Sequence, residues 1–330
     1  MTGEADIIQG YLAPLAQRYA GAFGLRDDAA VIAVPPGFEL VATMDAVAEA
    51  VHFFPDDDAA DIGWKALAVN VSDLVAKGAV PHTYLMSLAF PHAPTPDWLA
   101  QFARGLGEAQ SAFGITLIGG DTDRRPGPIS VTISAFGVVP AGKMVRRGTA
   151  QVGDRIFVSG TLGDAALGLK VRGGAADAVA WGLSADQRAH LTARYLRPQP
   201  RLALATVLRD YASASMDISD GLLKDLGRMT AASGVGARVE AALLPLSSAA
   251  AQVLAAAPGE ISAVLGGGDD YEVLATISAA QVAAFETAAS AAGVAITEVG
   301  QIGKGAGVVV TAADGTQIVI PAGSTGWDHF

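Results

Sequence analysis

Strand-like apolar runs alternate with helical segments along nearly the whole chain, and one run after another closes on an aspartate. No other feature limits the fold as much. "FELVATMD" (38–45) has the two-residue period of a strand and ends on Asp45. "DIGWKALAVNVSDLVAKGA" (61–79) is the clearest helix: Trp64, Leu67, Val71, Leu74 and Val75 form its apolar stripe, Asn70 and Asp73 lie off it, and Gly78 serves as C-cap. "PHTYLMSLAF" is a strand. "PDWLAQFARGLGEAQSAFG" is a second helix, started by Pro96 and Asp97 and stopped by Gly114. "ITLIGGD", which ends on Asp121, and "ISVTISAFGVV" read as strands, and residues 1–24 as a further helix with Ile7, Ile8, Leu12 and Leu15 at helical spacing.

The polar "PAGKMVRRGTAQVGD" (140–154) reads as a domain boundary, and a chain of 330 residues is long for one core, so two domains are expected, 1–148 and 149–330. In the second, "RIFVSG" is a strand that leads through a glycine-interrupted turn into a helix at "TLGDAALGLK". Residues 171–190 look like a helical insert, and "YLRPQPR" (195–201) like a rigid extended connector. "ASMDISDGLLKDLGRMTAASG" holds a strand end, an acidic cap and a helix stopped by Gly234. "ARVEAALLPL", "SAVLGGGDDYEVLATI" and "AITEVGQI" supply further strands. Strands and helices alternating in both halves make the chain α/β or α+β.

Composition removes several function classes. A net charge of −11 argues against nucleic acid as a partner. No apolar run of about 18 residues is present to span a membrane, and the acidic N-terminus lacks the basic start of a secretory signal. The absence of cysteine rules out disulfides and thiolate metal sites and fits a cytoplasmic protein. The histidines, at 52, 82, 92, 190 and 329, form no HxxxH pair, and neither a P-loop, a GxGxxG turn nor a GxSxG elbow occurs.

The acids remain: Asp27 and Asp28 before an apolar run, Asp45, Asp121, Asp217 with Asp220, and Asp269 with Asp270 after "GGG". Strand ends are where α/β proteins tend to build sites. Any one of these has a plain alternative; Asp220 could be the N-cap of the 221–233 helix, with Ser219 competing for that role. Asp73 is different, because an anion near a helix C-terminus costs ~0.3–1 kcal/mol. Together the acids suggest hard oxygen ligands for magnesium. A phosphorylated substrate would be repelled by about 4 kcal/mol per close charge pair at 4 Å and an effective dielectric near 20, and divalent cations reverse that sign. Taken alone, His52 is a packed or surface histidine, Trp327 is balanced between an anchor and a ligand stack, and Arg146 is a solvated charge.

In order, "DDAAV", "TMDAVAEAVHF", "ALAVNVSDLVAKGA", "LIGGDT", "RRGTAQVGDRIFVSGTLGDAALGL", "RPQPR", "MDISDGLLKDL", "GGDDYEV" and "GWDHF" resemble the thiamine-monophosphate kinase family. That family belongs to the superfamily of aminoimidazole ribonucleotide synthetase and selenophosphate synthetase, and the resemblance runs from about residue 3 to Phe330. It implies a two-domain fold, with an N-terminal mixed sheet that pairs into a dimer barrel, a C-terminal α/β sandwich and the site in the interdomain cleft. The implied reaction is direct ATP-dependent phosphorylation of thiamine monophosphate, assisted by several magnesium ions, in a homodimer. By motif position, Asp28, Thr43, Met44, Asp45, Asp73, Asp121, Asp217 and Asp220 match metal positions. Asp45, Asp121 and Asp220 are the implied catalytic acids. Gly120, Asp121, Arg146 and Ser219 match nucleotide contacts, and His52, Asp269 and Trp327 match contacts to the thiamine substrate.

The chain departs from the family pattern at Arg26, at Thr43-Met44, where two hydroxyl residues are usual, at Asp123, and at Asp269, where relatives carry glutamate. Asp270, shared with the family pattern, is expected to be the structural carboxylate of that pair or one that acts from behind the direct contacts. The alternatives are another ATP-dependent superfamily enzyme with a different small phosphorylated substrate, or a non-catalytic nucleotide-binding regulatory protein. The lack of cysteine counts against a selenophosphate-type nucleophile.

Overall fold

The computed structural model describes residues 4–321 and 325–328. It divides into two compact units, Met1–Val75 with Ala79–Met144, and Ala76–Gly78 with Val145–Phe330.

The first unit opens with a broken helical segment rather than the single helix expected over 1–24. α1 (Glu4–Ile7), a π-helical turn (Ile8–Leu12) and α2 (Ala13–Ala16) are followed by a 3-10 stretch (Ala20–Leu25). Pro14 lacks an amide proton, and Phe23, Gly24 and Leu25 all have positive φ, so helical bonding cannot run through. Strands β1 (Phe38–Ala48), β2 (Val80–Phe90), β3 (Thr116–Arg124) and β4 (Ser130–Pro140) form a sheet in the order β1-β4-β2-β3. β4 runs antiparallel to β1 and β2, while β2 and β3 are parallel. A parallel pair needs a crossover, and α4 (Pro96–Phe113) supplies it. Thr95 caps α4 by accepting the Trp98 N–H at 3.2 Å, and left-handed Gly114 ends it.

Two expectations need correction here. β1 and β3 run on past Asp45 and Asp121, to Ala48 and Arg124, so these aspartates lie within edge strands and not at strand ends. Each stands where the backbone keeps its pairing on one side while the side chain is exposed. α3 (Ala59–Ala76) shows no simple stripe, because residues 62–72 are all buried. Asn70 is fully buried, and its amide donates to Ala66 O at 3.0 Å and accepts the Asp45 N–H at 2.9 Å. A polar residue off the stripe is thus tolerated because both ends of its amide are paired.

The second unit is a mixed sheet in the order β11-β10-β7-β9-β5-β8-β6. Its strands are β5 (Arg155–Ser159), β6 (Ala212–Ile218), β7 (Gly236–Glu240), β8 (Glu272–Ile277), β9 (Ile296–Gly303), β10 (Gly307–Thr311) and β11 (Gln317–Ile318). Its helices are α5 (Asp164–Arg172), α6 (Ala176–Ala180), α7 (Ala185–Leu196), α8 (Leu204–Tyr211), α9 (Leu222–Ser233), α10 (Ser248–Ala256), α11 (Ile261–Gly266) and α12 (Val282–Ala291). Ile156, Val158, Leu167, Leu191, Ile218, Leu226 and Leu274 are fully buried in one core.

The 171–190 insert holds α6 and the start of α7, which a Ser184–Gln187 capping box begins. α7 continues to Leu196, so the expected extended connector starts inside a helix. "SAVLGGGDDYEVLATI" is not one strand. α11 precedes a loop over 267–271, and only then does β8 begin, because Asp269 and Tyr271 take left-handed φ of 70° and 50°. "ARVEAALLPL" keeps its strand only through Glu240 and then turns into a 3-10 helix over Ala241–Leu243. Among the described residues, no helix is long and apolar enough to cross a membrane.

Candidate active site

In the first unit, the acids fall into two groups on opposite edges of the sheet. On β1, Thr43 donates its hydroxyl to Asp73 Oδ2 at 2.5 Å, which ties the strand to the last turn of α3. Asp45 follows at the next same-face position, its backbone held by Asn70, while the Met44 side chain points outward and is 66% exposed. On β3, Gly120 and Asp121 face β2 across the Met86↔Gly120 and Ser87↔Asp121 pairs. A Cβ on Gly120 would lie 1.8 Å from Met86 O, so only glycine allows this approach. Asp45, Ile133, Met86 and Gly120 form one transverse row. Three strand spacings set its two ends about 14 Å apart. Asp45 and Asp121 therefore do not reach a common ion within one chain.

Gly120 and Asp121 line a cavity of about 650 Å³ with Asp27, Asp28, Thr122 and an apolar wall that includes Leu12, Leu25, Ile32, Leu85 and Ile118. A pocket with one acidic lip and one apolar wall can take a molecule that carries both charge and a ring. His52 lies beyond β1. Its Nδ1 accepts the Ala48 N–H at 3.1 Å, so Nε2 carries the proton of the neutral ring, and Lys65 Nζ fixes the His52 carbonyl at 2.8 Å.

In the second unit, the loop after β6 and the loop before β8 are joined residue by residue. Asp269 N donates to Ser219 O at 2.9 Å and Tyr271 N to Ile218 O at 2.8 Å. Gly221, at φ 107°, passes so close that a Cβ would lie 2.6 Å from the Gly266 carbonyl carbon. Trp327 N donates to Asp220 O at 2.9 Å, and Lys224 Nζ donates to Trp327 O. Ser219, Asp220, Asp269 and Trp327 thus share one cluster, with Asp217 buried at the end of β6 beside it. Arg146 is exposed, and its carbonyl accepts the Ser215 N–H at 3.3 Å.

The helix-cap alternative for Asp220 and Ser219 does not hold. α9 starts at Leu222 with no side-chain cap, and Asp225 instead reaches back to accept the Ser219 and Asp220 N–H groups at 3.0 and 2.9 Å. Burial pushes the Asp225 carboxyl up to about 6. Asp220 Oδ2 pairs with Arg228 at 2.6 Å.

Asp270 is the structural carboxylate expected of its pair. It is buried and accepts the Gly163 N–H at 3.0 and 2.9 Å, and burial holds its carboxyl well above the usual range. Sequence reasoning missed the ion group behind it. Fully buried Glu272 takes Arg194 Nη2 at 2.8 Å, Arg201 Nε at 2.7 Å and Ser159 Oγ at 2.6 Å. Fully buried Asp164 takes Thr161, Ser247 and His190. The second arginine of "RPQPR" and the glutamate of "DDYEV" were visible signals, but nothing in the sequence pairs them.

Among the described residues, no three carboxylate or imidazole side chains gather around one point. The donors come singly or in twos, with the Thr43 hydroxyl. This arrangement suits magnesium, which keeps several waters and takes other oxygens from phosphates. His329 and Phe330, the end of the "GWDHF" motif, lie outside the described residues.

The model of the AIR synthase related protein N-terminal domain matches residues 26–139, and that of its C-terminal domain matches 151–313. A thiamine-monophosphate kinase of Caulobacter vibrioides is 38% identical over 92% of this chain and 85% of its own length. The crystal structure of the thiamine-monophosphate kinase from Stenotrophomonas maltophilia superposes with a TM-score of 0.80 at 42% identity, covering 89% of this chain and 91% of that one. AaThiL complexed with AMPPCP and TMP superposes with a TM-score of 0.77 at 31% identity, covering 95% of this chain and 98% of the other.

Proposed function

The chain belongs to the AIR synthase related family, and we propose that it transfers the γ-phosphoryl group of ATP to thiamine monophosphate to form thiamine diphosphate. The observation that carries this is the near full-length likeness to a relative complexed with AMPPCP and TMP, in a chain that keeps every acid of the motif order.

Phosphoryl transfer asks the protein for alignment and charge neutralisation more than for covalent chemistry. Gly120 keeps β3 close against β2 and, with Asp121 beside it, lines the mixed cavity, where its backbone is the proposed contact to nucleotide phosphate. Arg146, exposed and fixed through its backbone, offers charge-assisted hydrogen bonds to nucleotide phosphate, with Ser219 as a second contact. His52 Nε2–H is a directed donor for the thiamine substrate, Asp269 an acceptor, and the half-exposed Trp327 a ring for stacking on its cationic or pyrimidine part. Asp45, Asp121 and Asp220 are the acids closest to the chemistry in this proposal. Magnesium bound at Asp28, Thr43, the Met44 backbone, Asp45, Asp73, Asp121, Asp217 and Asp220 would supply the positive charge that lets two phosphate-bearing anions meet in an acidic protein. The separation of the β1 and β3 acids favours more than one ion.

In-line transfer without a covalent enzyme intermediate, a cytoplasmic location and a homodimer through the N-terminal units complete the proposal. Exposed Phe38, Leu40 and Met44, alternating on one face of β1, support the pairing. The test incubates purified protein with ATP, magnesium and thiamine monophosphate, alongside a panel of other small phosphorylated acceptors. Thiamine diphosphate as the dominant product is expected. Another phosphorylated product, or nucleotide binding without transfer to any acceptor, would overturn the assignment.

A further inference from the structure

The loop that presents Asp269 is held in a conformation its residues disfavour. Asp269 and Tyr271 both have positive φ, at 70° and 50°. Such residues persist only where their surroundings over-determine them. Two of the restraints are the backbone bonds to Ser219 and Ile218. A third comes from α7: Arg194 Nη2 donates to the Asp270 carbonyl at 3.3 Å, between the two left-handed residues. The same nitrogen is fixed at 2.8 Å by Glu272, which is fully buried, and only a tenth of the arginine side chain is exposed. Arg194 therefore spans a rigid buried anchor and the middle of a strained loop.

We propose that Arg194 is a positioning residue for thiamine monophosphate, acting through the Asp270 carbonyl to set how Asp269 is presented. This rests on the reading above that Asp269 meets that substrate. Arg201 is the natural control, because its Nε and Nη2 are directed at Glu272 and share the charge-neutralising task without reaching the Asp270 carbonyl.

The test compares Arg194→Met, Arg194→Lys and Arg201→Met by melting temperature, by amide exchange of residues 266–272, and by steady-state kinetics. Both methionine variants should melt lower. Arg194→Met alone should exchange the Asp269 and Tyr271 amides about tenfold faster while β8 stays protected, in line with a lost charge-assisted hydrogen bond. It should also raise KM for thiamine monophosphate about tenfold and leave KM for ATP within about twofold. Arg194→Lys should recover part of both effects, and it carries the comparison with Arg201→Met should Arg194→Met fail to fold. Equal exchange and equal kinetics for the Arg194 and Arg201 variants would reduce Arg194 to a counter-charge and overturn the proposal. Exchange needs no substrate, so a wild type inactive on thiamine monophosphate would refute the function separately from the loop restraint.

Discussion

Adding one methyl group at Gly120 should separate β3 from β2 and disable the edge proposed to meet the nucleotide. The ideal Cβ lies 1.8 Å from Met86 O, 2.7 Å from Met86 C and 3.0 Å from Met86 N. Ordinary contact starts at 3.4 Å, so a backbone carbonyl in a paired strand must retreat by roughly 1.6 Å or the alanine must rotate out of register. Overpacking costs about 1–3 kcal/mol, and a clash with main chain instead of a flexible side-chain tip belongs at the top of that range. At about 3 kcal/mol, Gly120→Ala would remove a large share of a typical 5–15 kcal/mol and lower the melting of the first unit by about 10 °C. Calorimetry should read this as a shift of one transition, since two units need not unfold together. Below that transition, binding of a non-hydrolysable ATP analogue should weaken at least about tenfold, because Asp121 moves with Gly120. A variant that melts with the parent and binds the analogue equally well would refute the close approach and the nucleotide role built on it.

Asp270→Asn tests the buried carboxylate by pH. Burial raises its folded-state pKa above the unfolded value of about 3.9, so the native state keeps a proton that the unfolded chain releases. The stability of wild type relative to Asp270→Asn should therefore fall as pH rises from about 4 until the raised pKa is passed; urea titrations showing it rising instead would contradict this. Thr43→Val leaves Asp73 without its hydroxyl donor. A hydrogen bond to a charged group is worth about 1.5–3 kcal/mol, and partial exposure places this one near the lower end. Its urea midpoint should drop accordingly and its magnesium requirement rise, whereas no change in either would show that the Thr43–Asp73 link is idle.

The alternation of strands and helices could be read from the sequence because each element carries its own period and stop signal, as Thr95, Pro96 and Gly114 do for α4. The acids were legible for the same local reason. Their grouping was not, because sheet order decides it: Asp45 and Asp121 are parted by β4 and β2, which no local pattern reports. The strand expected in "SAVLGGGDDYEVLATI" begins only at Glu272, because left-handed Asp269 and Tyr271 turn the chain ahead of it. The restraints on that loop come from Arg194, Gly163 and Ser219, all distant in sequence. Asp225 is a similar case, since its carboxylate holds the Ser219 and Asp220 N–H groups ahead of a helix that has no side-chain cap.

The central claim is direct transfer of phosphoryl from ATP to thiamine monophosphate at an acidic site that needs Asp121. It is tested most directly by following ATP labelled at the γ-phosphate in wild type and Asp121→Asn, with folding of both checked by circular dichroism. Label should appear in the terminal phosphate of thiamine diphosphate with wild type, and fall by at least about a hundredfold with folded Asp121→Asn. Label released only as inorganic phosphate, or carried equally well by Asp121→Asn, would contradict the account.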